Sequence, residues 1–219
     1  MVRTFGLVAA IAVLLAACDG SPSTPSRTTA PSSLPSTSPI ASPSPEADAT
    51  RMPASETPLE PGRYTFTGFT PNVSYRVEHG WTAGHEIPDF FDVDRPNTVV
   101  AFSIPTTVYD RTGVAQSTLN LAPRRALAMV AANHGLHAGP VESTTVGAHP
   151  GVVAQLEPTV AANIFGGQFP YTTAAGSAVR LAFVDVDGTL VLVMAVARRR
   201  PFGPALADAA ELIRSVRFG

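Results

Sequence analysis

Histidine, cysteine and paired aspartates are the side chains with which this chain is equipped for chemistry. It carries one thiol, Cys18, and five histidines, at positions 79, 85, 134, 137 and 149. An imidazole near neutral pH serves as a base or a metal ligand. His134 and His137 stand three apart and, joined by His149, offer nitrogens for zinc. Capping of a helix C-terminus is the competing expectation for that pair. His85-Glu86 lacks a second histidine four residues after the first, so it is not the helix of a zinc protease. Asp92-Val93-Asp94 starts like a calcium loop. Pro96 and Asn97 then fall where such a loop needs a ligand and a glycine, and Ser103 falls where it needs a glutamate. No Gly-x-Ser-x-Gly elbow occurs, and Gly166-Gly167 neither follows a clear strand nor opens a clear helix. The sequence therefore assigns no catalytic, cofactor-binding or metal-binding residues. His149 or His85 with a nearby carboxylate is the acid and base pair to examine if the protein is an enzyme.

Composition removes further classes. All 15 basic residues are arginine, so lysine Schiff bases and Walker-type lysines are excluded. A net charge of −2 gives no field to gather phosphates, and no nucleic-acid partner is expected. One cysteine forms no internal disulfide and no Cys-rich zinc site. Charged residues are only 15% of the chain, with Ser, Thr, Pro and Gly in their place.

Residues 1–17 have the layout of a secretory leader: Arg3, then an apolar run from Phe5 to Ala17 that is shorter than the roughly 20 residues a membrane span needs. Leu15-Ala16-Ala17-Cys18 resembles the lipobox of bacterial lipoproteins. The resemblance implies a diacylglycerol on the Cys18 thiol and cleavage that leaves Cys18 as the N-terminus. An ordinary leader with a chance cysteine, or an uncleaved short anchor, uses the same apolar run. Two or three acyl chains anchor a protein stably where one does not. The expected location is the extracytoplasmic face of the cell membrane, through the lipid on Cys18.

Residues 18–58 form the expected tether. From Asp19 to Pro58, ten Ser, six Thr and nine Pro leave little to pack a core, and disorder is expected. Fully extended, such a spacer reaches on the order of 120 Å.

Residues 59–219 are the expected globular domain. Period-two alternation predicts strands at 63–69, 73–79 and 98–104. Helical spacing of Leu127, Val130, Ala131 and His134 predicts a helix within 121–134. Strands at 141–146 and 152–156 flank a turn-rich 147–151, and 161–175 reads as a long connection whose Phe165 and Tyr171 are core plugs or a contact surface. Residues 179–186 and 190–197 are the strongest strands, nearly continuous in apolar residues and so covered on both faces, with Asp187-Gly188 as a hairpin turn between them. A helix over 204–216 closes the chain. The resulting expectation is an α+β fold, a mainly antiparallel sheet covered by two or more helices.

Two resemblances bear on function. Phe183-Val184-Asp185-Val186-Asp187-Gly188-Thr189 resembles the first motif of haloacid-dehalogenase-type phosphatases, which implies Asp185 as nucleophile and Asp187 as general acid. That family needs a later Ser/Thr, a basic residue, usually Lys, and acidic metal ligands; here no Lys follows, and the only later acids are Asp208 and Glu211 in the predicted helix. A two-residue Asp-Gly turn accounts for the same letters. The run Tyr75-Arg76-Val77-Glu78-His79-Gly80-Trp81, and the C-terminal hairpin and helix ending at Val216-Arg217-Phe218, resemble secreted lipoproteins of high-GC bacteria. Some of these have a PsbP-like α/β/α sandwich, and the resemblance implies a binding or assembly accessory without catalytic residues. The functional expectation is a non-enzymatic, lipid-anchored binding or assembly protein, its partner an envelope protein or a small apolar ligand. A carrier of an apolar ligand and a hydrolase of cell-envelope material are the alternatives. The lipid anchor is checked by fractionation: Cys18→Ser is expected to leave the membrane fraction, and a variant that still sediments with membranes rules the anchor out.

Overall fold

The computed structural model describes residues 49–219 apart from 69, 168 and 169. The leader, Cys18 and the tether up to residue 48 lie outside the described residues. The chain opens with short strands β1 (Thr50–Arg51) and β2 (Pro58–Leu59), then β3 (Gly62–Phe66), β4 (Val73–Val77), β5 (Trp81–Ile87), β6 (Phe90–Arg95) and β7 (Thr98–Ser103). β8 (Thr107–Tyr109) and β9 (Ala115–Ser117) precede α1 (Pro123–Ala131). Next come β10 (Leu136–Ala138), β11 (Glu142–Val146), β12 (His149–Pro158), β13 (Ala162–Gly166), β14 (Pro170–Thr173), β15 (Ala178–Val186) and β16 (Thr189–Ala197). α2 (Phe202–Arg214) and β17 (Arg217–Phe218) end it.

A nine-stranded antiparallel sheet, β10-β12-β15-β16-β7-β6-β5-β2 with β11 also on β12, forms the centre. Its middle strands are buried on both faces, every residue of β7 included. Their valine-rich runs are what such a position requires. Along β16, Val191, Val193 and Ala195 point to one apolar cluster while Leu192, Met194 and Val196 point to a second. A four-stranded sheet, β1-β3-β4-β17, covers the first face together with Ala209 and Leu212 of α2. Here Phe91, Phe102 and Tyr75 stack, with Phe91 and Phe102 centroids 4.7 Å apart. α1 and a second small sheet, β14-β13-β8-β9, cover the other face through Leu127, Val130, Val108, Ile164 and Phe165.

This overturns the expected α+β architecture. Strands make up 51% of the described residues and helices 13%, so the protein is a β-rich fold rather than a helix-covered or PsbP-like α/β/α sandwich. The expectation gave the covering role to helices, yet each face has one short helix and a small sheet beside it. Residues 161–175 are not a connection but the hairpin β13–β14, and β5 and β6 lie where no strand was predicted. Packing begins ahead of Leu59 as well: Thr50 and Arg51 pair with β3, and Met52 is buried.

Other expectations hold. Val186 faces Thr189 across Asp187 and Gly188, both at positive φ, which is the paired-strand turn that Asp-Gly favours. Asp92 and Asp94 sit in strand β6, so the calcium-loop reading fails for a structural reason too. The two predicted helices exist, though α1 stops at Ala131, before His134.

Phe102 is fully buried at the middle of the sheet, so Phe102→Ala is expected to cost about 3–5 kcal/mol of unfolding free energy. Chemical denaturation checks this, and a loss below about 1 kcal/mol would contradict the position given to β7.

Candidate functional site

Between the large sheet and β14 runs an open cleft. Among the described residues β14 ends its own sheet, so one of its edges has no strand beside it. On the sheet side the cleft is floored by Phe90 and Asp92 of β6, Val99 of β7, and Val196 and Arg198 at the end of β16. Tyr171, Thr172 and Thr173 of β14 form the wall. Two hollows, about 520 Å³ and about 320 Å³, share His85, Phe90 and Tyr171. The smaller continues past Asp89, Ser103 and Phe165.

One irregularity builds its polar end. Pairing between β5 and β6 steps from Ala83–Val93 to Glu86–Phe91, so Gly84 and His85 together oppose Asp92 in a β-bulge. The bulge turns the His85 N–H onto Asp92 Oδ1, which accepts it at 2.6 Å, and sets His85 Nδ1 3.5 Å from Asp92 Oδ2. Gly84 is needed because a Cβ there would overlap the Asp92 carboxylate. The Asp92 carboxyl is 8% exposed and the imidazole 80%. Burial, then the neighbouring Asp94 charge, raises the Asp92 pKa, and the hydrogen bonds and charge of His85 oppose the rise. Arg198 Nη2 holds Asp94 Oδ1 at 2.6 Å.

The apolar part is aromatic. Phe165 and Tyr171 stack at 5.1 Å, and Phe90 lies 6.4 Å from Phe165 and 6.1 Å from Tyr171. Burial foremost, then the Asp92 charge, pushes the Tyr171 hydroxyl up to about 12, so it is a neutral hydrogen-bonding group at physiological pH. The nearby aliphatic hydroxyls have given their protons elsewhere: Ser103 to Asp89 O, Thr172 to Asn163 Oδ1, Ser177 to Ala174 O. His85 and Asp92 thus form an imidazole–carboxylate pair that can move a proton, and among the described residues no hydroxyl donates to the imidazole as a nucleophile would.

The other sequence candidates are dispersed. His137 pairs with Glu157 and His149 opens the same strand eight residues earlier, a separation of about 27 Å at strand rise. His149 packs edge-on to Phe218. His134 accepts a hydrogen bond from Arg111 instead of capping α1. Among the described residues, no group of three His, Cys, Asp or Glu is placed to hold a metal. Asp185 accepts the Gly188 N–H inside its turn. Of the positive run Arg198-Arg199-Arg200 near the end of β16, Arg198 faces Asp94 and Arg200 faces Glu157, with Arg200 also over Phe202, so two of these arginines have counter-charges. Trp81 is buried under Arg95, which bonds Asp208 and the His79 carbonyl. Of the acid and base pairing raised from sequence, the structure brings a carboxylate to His85. Sequence reasoning missed Asp92 as that partner, along with Asp89 and Phe90, because the bulge that joins them hides the strand.

No protein-family model matches the chain, and no curated protein matches it. Solved structures do: one from Bacteroides thetaiotaomicron VPI-5482 aligns with a TM-score of 0.43 and 11% identity, covering 74% of this chain. The chain spans about half the length of that protein, 49%.

The raised Asp92 pKa has a direction for stability. The folded state holds this proton more tightly than the unfolded chain, so the contribution is greatest below the ordinary carboxylate range and is lost as pH rises through the raised value. Asp92→Asn lacks that loss. Its stability relative to the natural chain is expected to improve steadily from about pH 3.5 toward neutrality, measured by urea unfolding at several pH values. A difference that stays flat with pH contradicts the burial of the carboxylate.

Proposed function

We propose that this protein is a non-enzymatic binding protein of the cell envelope, anchored by lipid on Cys18 at the extracytoplasmic face of the membrane and carried on the Ser/Thr/Pro-rich tether that precedes β1. It takes a small ligand with a flat apolar body into the cleft beside Phe90 and Tyr171. The observation that carries this reading is the cleft itself, an aromatic wall next to convergent polar groups, which is the usual form of a small-molecule site. The lipobox-like Leu15-Ala16-Ala17-Cys18 supports the anchor. Both hollows are open-sided, which suits capture at a surface better than enclosure of a lipid in transit. A hydrolase of envelope material is the second reading, favoured by His85 beside Asp92.

Native mass spectrometry of the full chain purified from its own envelope tests the first reading. The expected result is a retained small molecule that is absent from Tyr171→Ala. Retention unchanged in that variant places the ligand elsewhere, and turnover of envelope glycan or peptide abolished by His85→Ala replaces binding with hydrolysis.

A further inference from the structure

The cleft's charges do not balance, and the imbalance names a ligand class. Asp89, Asp92 and Arg198 line it, and Asp94 lies against Arg198. That contact, at 2.6 Å, neutralises one carboxylate with the one guanidinium. Asp89 has no ion-pair partner among the described residues, and Asp92 has only His85, whose imidazole is charged only when protonated. Asp92 is 6% exposed, so its carboxylate has exchanged most of its water for one backbone N–H and the His85 imidazole 3.5 Å away. Beside these two carboxylates stand Phe90 and Tyr171, whose rings give the cleft an apolar surface for a ligand's body.

We propose that the cleft selects an organic cation, a protonated amine or alkylammonium carried on an aromatic or apolar body. The proposal rests on the cleft being a ligand site and adds the charge of what it holds. The cationic head sits toward Asp92, where it supplies the counter-charge that the fold leaves out, with the Asp89 charge in the adjoining hollow, and the body lies along Phe90 and Tyr171. A carboxylate ligand of the same shape meets two uncompensated negative charges. A neutral one keeps the apolar contact and gains nothing from them. An anionic body steered by Arg198 would first have to displace Asp94 from it.

Three probes of one size separate these cases: benzylammonium, benzyl alcohol and benzoate, titrated by calorimetry into the full chain in detergent. Benzylammonium is expected to bind about tenfold more tightly than benzyl alcohol, with benzoate weakest. The preference is expected to shrink in Asp92→Asn and in Asp89→Asn, the second being a turn position whose replacement leaves the buried carboxylate in place. Tyr171→Ala is expected to weaken the cation and the alcohol alike. Benzyl alcohol or benzoate binding as tightly as benzylammonium overturns the cation and leaves the cleft as the ligand site. Binding by none of the three at millimolar concentration overturns both. A cation preference unchanged in both aspartate variants also overturns the assignment.

Discussion

A sheet that is apolar on both faces cannot stand uncovered, and most of this architecture follows from that constraint. β7, β15 and β16 bury nearly every side chain they carry. Each face therefore demands a layer of matching area, because exposed apolar surface costs about 25 cal/mol per Å². The two helices have 9 and 13 residues, too short to cover nine strands. Two small sheets make up the difference, one built from the start and end of the described chain, the other from excursions before α1 and after β12. Closing β17 onto β4 ties the last residues to the first sheet.

The cleft is the place where this covering stops. β14 is an outer strand of its sheet, and beyond it β6 and the end of β16 are left partly open. An exposed floor on a central sheet would ordinarily be polar. This one is mixed, with Phe90 beside Asp92 and Val196 beside Arg198. Asp92 is held by the backbone rather than by a flexible contact: a bulge aims an N–H at it, and Gly84 removes the Cβ that would block it. Rigid placement of a desolvated carboxylate is a cost that hydrophobic burial elsewhere must offset. Groups perturbed by desolvation and a specific charge partner cluster at functional sites, as they also do in structural ion-pair networks.

How much of this the sequence disclosed depends on whether local pattern carried the information. The 179–197 hairpin was legible because two apolar runs flank Asp187-Gly188, and the turn chemistry is local. β4 and β7 were legible through alternation. β5 and β6 were not: Gly84 and His85 break the period by one residue, and Asp92 and Asp94 put charge on what is otherwise an inward face. β13 and β14 were masked by Gly166, Gly167 and Pro170, residues that signal a loop although they close a hairpin. The choice between helix and sheet as the covering layer is not local at all, since either presents an apolar face to the same strands. Of the site, His85 was visible as a titratable residue and Tyr171 as an unassigned aromatic. Their meeting with Asp92 is a product of tertiary pairing.

The arginines near the end of β16 show the same limit from the electrostatic side. Arg198-Arg199-Arg200 reads as a positive patch able to meet anionic headgroups or wall polymer. In the fold, Arg198 is committed to Asp94 at 2.6 Å, and Arg200 stands 4.0 Å from Glu157 with its guanidinium over Phe202. Attraction to an anionic surface is worth about 1 kcal/mol per free basic residue, and two of these three have counter-charges at hand. The patch therefore adds little to membrane attachment, which in the proposed arrangement falls to the acyl chains on Cys18. Arg198 instead acts inward: by neutralising Asp94 it leaves Asp92 as the uncompensated charge of the cleft floor, and so fixes the sign of what the cleft attracts.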